Sequence, residues 1–121
     1  MNKSILLVDD TETVLLFERT MLKGMGYQLR IAKDGAHALE EVRKTPPSLI
    51  LLDIVMPGLD GIETCRRLKD DPDTRHIPVV MVTTKGEPEM VERAFEAGCD
   101  DYITKPLDKM ELLSKVNTYM G

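Results

Sequence analysis

No stretch of this 121-residue sequence approaches the ~20 consecutive apolar residues that a membrane-spanning helix needs. Its start, MNKSILLVDD, lacks both a long apolar region and a small-residue cleavage site, so no secretory leader is read there and a cytoplasmic location is expected. Cysteine is scarce. Cys65 and Cys99 stand far apart inside apolar patterns, which excludes a disulfide framework or a metal-ligand spacing and leaves two buried thiols. An excess of positive charge is also missing: a formal net charge of -5 repels a nucleic-acid backbone, so no direct nucleic-acid contact by this domain is expected. Linkers and low-complexity segments are absent. With 42% hydrophobic and 31% charged residues, the composition is that of a folded chain, and the length suits one domain over 1–121 with a sizeable core.

Short solid apolar runs alternate with longer segments of helical period. The runs are Ser4–Val8, Tyr27–Ala32, Ser48–Leu52, Ile77–Val82 and Cys99–Ile103. The intervening helices are expected over Thr11–Met25, Ala36–Lys44, Ile62–Lys69, Pro88–Ala97 and Asp108–Met120. Their inward faces are read as Val14, Leu15, Phe17, Leu22 and Met25; Ala38, Leu39 and Val42; Ile62, Cys65 and Leu68; and Val91, Ala94 and Phe95. Gly24 and Gly26 bracket the end of the first helix, Pro46-Pro47 stops the second, Gly98 closes the fourth, and Asp108 is placed to cap the last. Such strict alternation implies a parallel sheet covered by helices on both faces.

In an open parallel sheet, ligands bind beyond the carboxyl ends of the strands. The residues just after each run are therefore the informative ones: Asp9 and Asp10, then Asp53, then Thr83 and Thr84, then Lys105 and Pro106. Three carboxylates in one cleft repel unless a cation is bound or one takes a proton. A hard divalent ion with oxygen ligands relieves that repulsion, and Mg²⁺ suits an open site beside phosphate. A carboxylate can also attack a phosphoryl group, with a metal, an ammonium and a hydroxyl neutralising the transferring charge.

Val8-Asp9-Asp10, Leu52-Asp53 with Met56-Pro57 and Gly61, Val82-Thr83, and Tyr102-Ile103-Thr104-Lys105-Pro106 together resemble the signature set of CheY-like receiver domains of two-component response regulators. The resemblance covers essentially the whole chain. It implies a (βα)5 doubly wound five-stranded fold with strand order 2-1-3-4-5, as in CheY itself. It further implies that Asp53 is the phosphoacceptor, that Asp10 binds Mg²⁺ directly, that Asp9 acts through metal-bound water, and that the backbone carbonyl of Val55 completes the metal ligands. Lys105 pairs with the phosphoryl oxygens, Thr83 and the amide of Thr84 hold the arriving phosphoryl, and Tyr102 turns inward with Thr83. Lys105-Pro106 falls where the family keeps a cis peptide. Val55 offers no side chain to hold an attacking water, and Lys85 is placed to shield the acyl phosphate or to attract a donor.

Each piece also has a plainer reading. Asp9-Asp10 can cap a helix, Asp53 can be a turn acid, Lys105-Pro106 can mark a helix start, Thr83 is at home in any strand, and Tyr102 can be a packing aromatic. His37 and His76 are read as surface histidines, and Met21, Met25, Met81 and Met110 as core filling. The expected function is a signalling switch, not an enzyme, phosphorylated by a histidine kinase or phosphotransfer protein. It is read out on the helix4-strand5-helix5 face through Glu89, Glu92, Arg93, Glu96, Tyr102, Lys109 and Lys115. A small Mg²⁺-dependent phosphatase is the competing enzyme reading; it lacks a cap segment and keeps its acids on separate strands. A flavodoxin-like cofactor carrier is disfavoured because VDDTET presents acids to an anion. The output partner, a fused output domain and phosphorylation-dependent dimerisation stay open.

Overall fold

The computed structural model describes residues 3–84 and 88–121; Lys85 lies outside them. The elements are β1 (Ser4–Val8), α1 (Glu12–Leu22) with a 3-10 turn at Lys23–Met25, β2 (Gln28–Ala32), α2 (Gly35–Lys44), β3 (Leu49–Asp53), α3 (Gly61–Asp70), β4 (Val79–Thr84), α4 (Pro88–Glu96), β5 (Asp101–Lys105) and α5 (Lys109–Met120). All pairings are parallel and the strand order is β2-β1-β3-β4-β5, the order implied by the resemblance.

Residue alternation along the central strands divides the core. Leu6, Val8, Ile50, Leu52, Val79 and Met81 face one apolar cluster, with α2, α3 and Ala94 of α4. Ile5, Leu7, Leu49, Leu51, Val80 and Val82 face the other, where Leu15 and Leu22 of α1 meet Leu112, Val116 and Met120 of α5. Because both faces are covered, β1 and β3 are buried throughout, whereas the edge strand β2 is only partly so.

Helix starts follow side-chain chemistry. Asp34, Asp60 and Asp108 each accept a hydrogen bond from a first-turn amide, at His37, Glu63 and Met110, at 2.7–2.9 Å. The first helix turns 3-10 after Leu22 rather than staying α-helical to Met25, and Gly26 closes it with φ 84°.

β4 and β5 each begin two residues later than their apolar runs. Asp100 accounts for this: its Oδ2 accepts from the Val79 amide at 2.8 Å and from Lys69 Nζ at 2.9 Å, so residues 99–100 serve as a clasp before the β4–β5 ladder starts at Val80↔Asp101.

Five inward expectations are corrected. Phe17 and Phe95 are 53% and 45% exposed, and Met110 is 78% exposed, because the stripes that meet the sheet are narrower than the apolar content of their helices. Val14 and Val91 are only partly buried. Met81 is fully buried, Met21 and Met25 pack at the edge of the second cluster, and both cysteines are buried free thiols, pushed up by burial to about 11 (Cys65) and about 12 (Cys99). His37 and His76 are exposed. Among the described residues no helix is long and apolar enough to cross a membrane.

Candidate functional site

The carboxyl ends of β1, β3, β4 and β5 converge on one rim. Asp9 extends the β1 ladder, its amide donating to Ala32 O at 3.2 Å. Its side chain is buried and caps its own turn, Oδ1 accepting from the Thr11 amide at 2.8 Å. The helix-cap reading of Asp9 is corrected: Thr11 is itself the N-cap of α1 and α1 has no side-chain cap, so the Asp9 bond closes an Asx turn ahead of the helix. Asp10 is exposed. Asp53 closes β3 and is buried. One carboxylate oxygen from each of Asp9, Asp10 and Asp53 lies within 4.8 Å of the others.

Lys105 ends β5 and reaches across this group. Its Nζ donates to Asp53 Oδ1 at 3.3 Å and to Asp9 Oδ2 at 3.5 Å. Burial works against its charge, but the two carboxylates outweigh burial and raise its pKa. Burial, reinforced by the negative charge of Asp9, pushes Asp53 up to about 6, while Lys105 and a backbone hydrogen bond from Val55 pull the other way. Asp53 thus remains ionised at neutral pH, yet is more basic than an ordinary aspartate. That combination suits a carboxylate nucleophile.

Thr83 lies one residue beyond Val82, the ladder partner of Asp53. Its side chain is buried, and among the described residues Oγ1 has no hydrogen-bond partner. A buried hydroxyl left unpaired is costly and invites a ligand atom. Thr83 pairs with Thr104 and Met81 with Tyr102, so Thr83 and Tyr102 share a face of the sheet. Tyr102 is 37% exposed and stands edge-on to Phe95, with ring centroids 5.9 Å apart and planes at 89°. Thr84 is exposed at the strand end, and the Lys105-Pro106 peptide is cis. Val55 points its side chain to solvent.

The carboxylate set fits a divalent cation: oxygen donors only, an excess of negative charge over the single amine, and one exposed member that leaves the site open. Close packing builds this rim. A Cβ on Gly61, the first residue of α3, would lie 2.0 Å from the Asp53 carbonyl oxygen, so only glycine lets α3 start against the end of β3. Lys115, expected to face a partner, is instead bound to Asp101 at 2.9 Å.

One residue in this region escaped sequence reading. Glu18 of α1 is 1% exposed, although a charged residue in an amphipathic helix is ordinarily assigned to the solvent side. The available signal was its spacing: Leu15, Glu18 and Leu22 stand at i, i+3 and i+7.

A doubly wound α/β domain with three acids, an amine and an unpaired hydroxyl at one strand-end rim is the architecture of a phosphoacceptor switch. The sequence matches the response regulator receiver domain family over residues 5–117, and the chain belongs to that family. It is 41% identical over 98% of its length to the response regulator PleD of Caulobacter vibrioides, of which it spans only about a quarter (26%). It is 36% identical over its full length to the polar-differentiation response regulator DivK of Brucella ovis, 98% of which is matched. A crystal structure of a putative response regulator from Chloroflexus aurantiacus superposes with a TM-score of 0.95 at 34% identity, covering 99% of this chain and 98% of that one. Receiver domains are regulatory phosphoacceptor domains of two-component signalling, acting with histidine kinases or phosphotransfer proteins.

Proposed function

We propose that residues 1–121 act as one Mg²⁺-dependent receiver domain whose phosphoacceptor is Asp53. The observation that carries this reading is the placement of Lys105 Nζ, 3.3 Å from Asp53 Oδ1, on a rim that also holds Asp9 and Asp10. An Asp53 oxygen attacks the phosphorus of a phosphohistidine or small acyl phosphate. The new O–P bond forms as the donor's P–N or P–O bond breaks, leaving an acyl phosphate on Asp53 and a donor that recovers its electron pair.

Asp10, Asp9, Asp53 and the Val55 carbonyl would hold Mg²⁺, which when bound offsets the negative charge of the phosphoryl oxygens. Lys105 pairs with the same oxygens once they arrive. Thr83 Oγ1 gains the hydrogen-bond partner it lacks, assisted by the Thr84 amide. The free energy of that bond favours a state in which Tyr102, on the same face of the sheet, turns inward beside it. Pro106 holds the turn that follows Lys105. The α4-β5-α5 surface would carry the change to an output partner or fused output domain, through Glu89, Glu92, Arg93, Glu96 and Lys109.

The test is incubation with acetyl phosphate, with and without Mg²⁺, followed by intact mass and reductive trapping of the acyl phosphate. A Mg²⁺-dependent gain of one phosphoryl group, mapped to Asp53, is expected. A gain mapped elsewhere, or one indifferent to Mg²⁺, would overturn the assignment. The ligand roles are separable by calorimetry. Asp10→Ala should weaken Mg²⁺ binding roughly tenfold or more, since even outer-shell changes can cost that much, while Thr83→Ala leaves it nearly unchanged. Equal losses would remove Asp10 from the ligand set.

A further inference from the structure

Glu18 is used by nothing in the reading above. It occupies the middle of the buried stripe of α1, between Leu15 and Leu22, where that stripe meets the apolar cluster shared by β1, β3 and α5. Its side chain is 1% exposed, and among the described residues Oε1 has no hydrogen-bond partner. A carboxylate in such a place faces a large desolvation cost, whereas the neutral acid faces a much smaller one.

Strand alternation shows what lies beside it. Ile5 and Leu7 of β1 face this cluster, and Asp9 continues their side of the strand; Leu49 and Leu51 of β3 are followed by Asp53, and Ile103 of β5 by Lys105. The acidic rim thus caps the same face of the sheet whose interior holds Glu18. No hydrogen bond joins Glu18 to the rim, and it stands apart from the cluster formed by the Asp9, Asp10 and Asp53 oxygens.

The charged groups acting on Glu18 are Asp9, Asp53 and Lys105. The inward face of α5 brings only Leu112, Val116 and Met120. Lys115 and Tyr119 of that helix are turned to Asp101, and Lys23 at the end of α1 is exposed.

We propose that Glu18 is a proton-carrying partner of the acidic rim: it holds its proton while the rim lacks a divalent cation, and releases that proton to solvent when a cation settles among Asp9, Asp10 and Asp53. Only the Glu18 O–H bond breaks. Burial first, then the negative charge of Asp9, pushes Glu18 up to about 8 in the absence of a cation, and a double positive charge at the rim acts in the opposite sense. By linkage the effect is reciprocal: protonated Glu18 weakens cation binding by the same factor that the cation weakens proton binding. The consequence is a receiver that loads its cation more readily as pH rises through the range where Glu18 titrates.

The inference rests on the reading of the rim as a Mg²⁺ site, and the experiment separates the two. Mg²⁺ is titrated calorimetrically at pH 8 in buffers of different ionisation enthalpy, and the slope of observed heat against buffer enthalpy counts protons. At that pH Asp53, at about 6, is already ionised and contributes almost nothing.

The wild-type chain is expected to release up to about half a proton per cation, and Glu18→Gln to bind Mg²⁺ with that release abolished. Glu18→Leu, which completes the apolar stripe, provides a second variant with the same expectation. Equal release from wild type and both variants would overturn the assignment, as would Mg²⁺ binding by the wild type without proton release. Failure of the wild type to bind Mg²⁺ at all would overturn the metal reading and this linkage with it.

Discussion

Asp53→Asn is expected to lose all phosphoryl acceptance and, in Mg²⁺-free buffer at pH 7.5, to be more stable than the wild type. The first effect follows from chemistry: an amide oxygen lacks the charge and basicity to displace a leaving group at phosphorus, and Asp9, the other carboxylate on Lys105 at 3.5 Å, has its second oxygen held by the Thr11 amide.

The second effect follows from burial. The Asp53 carboxyl rises from 3.8 to about 6 on folding, so ionising it costs the folded state even with Lys105 beside it. A folded pKa above the unfolded one means stability that is fully present below pH 3.8 and is lost as pH climbs through about 6. The ceiling is about 3 kcal/mol at neutral pH, reduced because the amide no longer partners Lys105, so a gain of about 1–2 kcal/mol is expected. Below pH 3.8 the two chains should converge. Denaturant unfolding at pH 3.5 and pH 7.5 checks both ends. A less stable variant at pH 7.5 would mean that the ion pair with Lys105 outweighs the burial of charge.

Gly61→Ala should be the most damaging single-methyl change near the site. The added Cβ would stand 2.0 Å from the carbonyl oxygen of Asp53 and 2.8 Å from its carbonyl carbon and the Cα of Ile54. These are backbone atoms, so no side chain can swing aside. The Gly61 amide also donates to Ile54 O at 2.8 Å, which ties the start of α3 to the end of β3. Relief therefore requires moving α3 away from the strand that carries the phosphoacceptor.

The cost should be about 3 kcal/mol or more, at the upper end for overpacking. In a domain of this size that corresponds to a fall in Tm of roughly 10 °C or more. Thermal unfolding measures it, and acetyl phosphate labelling of whatever folded fraction remains should be slowed, because Asp53 moves relative to Lys105. A variant with unchanged Tm would show that the loop after β3 can shift freely, and would remove Gly61 from the structural support of the site.

The number and order of the strands and helices were legible from apolar runs alternating with segments of helical period, since each periodicity reports which local geometry can bury its side chains. The strand-end acids, the hydroxyls and the Lys105-Pro106 pair were legible because the carboxyl ends of parallel strands must share one rim. The helix start at Asp108 was legible to the same degree, as capping is a contact over two or three residues, whereas the caps at Asp34 and Asp60 were found only in the structure.

Contacts between distant segments were not legible. Phe17 and Phe95 lie outward because the width of each buried stripe is set by the sheet beneath it, not by the hydrophobicity of the helix. The use of Asp100 as a clasp for Val79 and Lys69 depends on β5 lying beside β4. The place of Glu18 in the core and the near contact of Gly61 with Asp53 arise only when α1 and α3 dock on the strands. Sequence determined which chemistry reaches the rim, because strand ends are local features. Tertiary structure decided which of those groups are buried, paired or left without a partner, because desolvation depends on what the rest of the chain places around them.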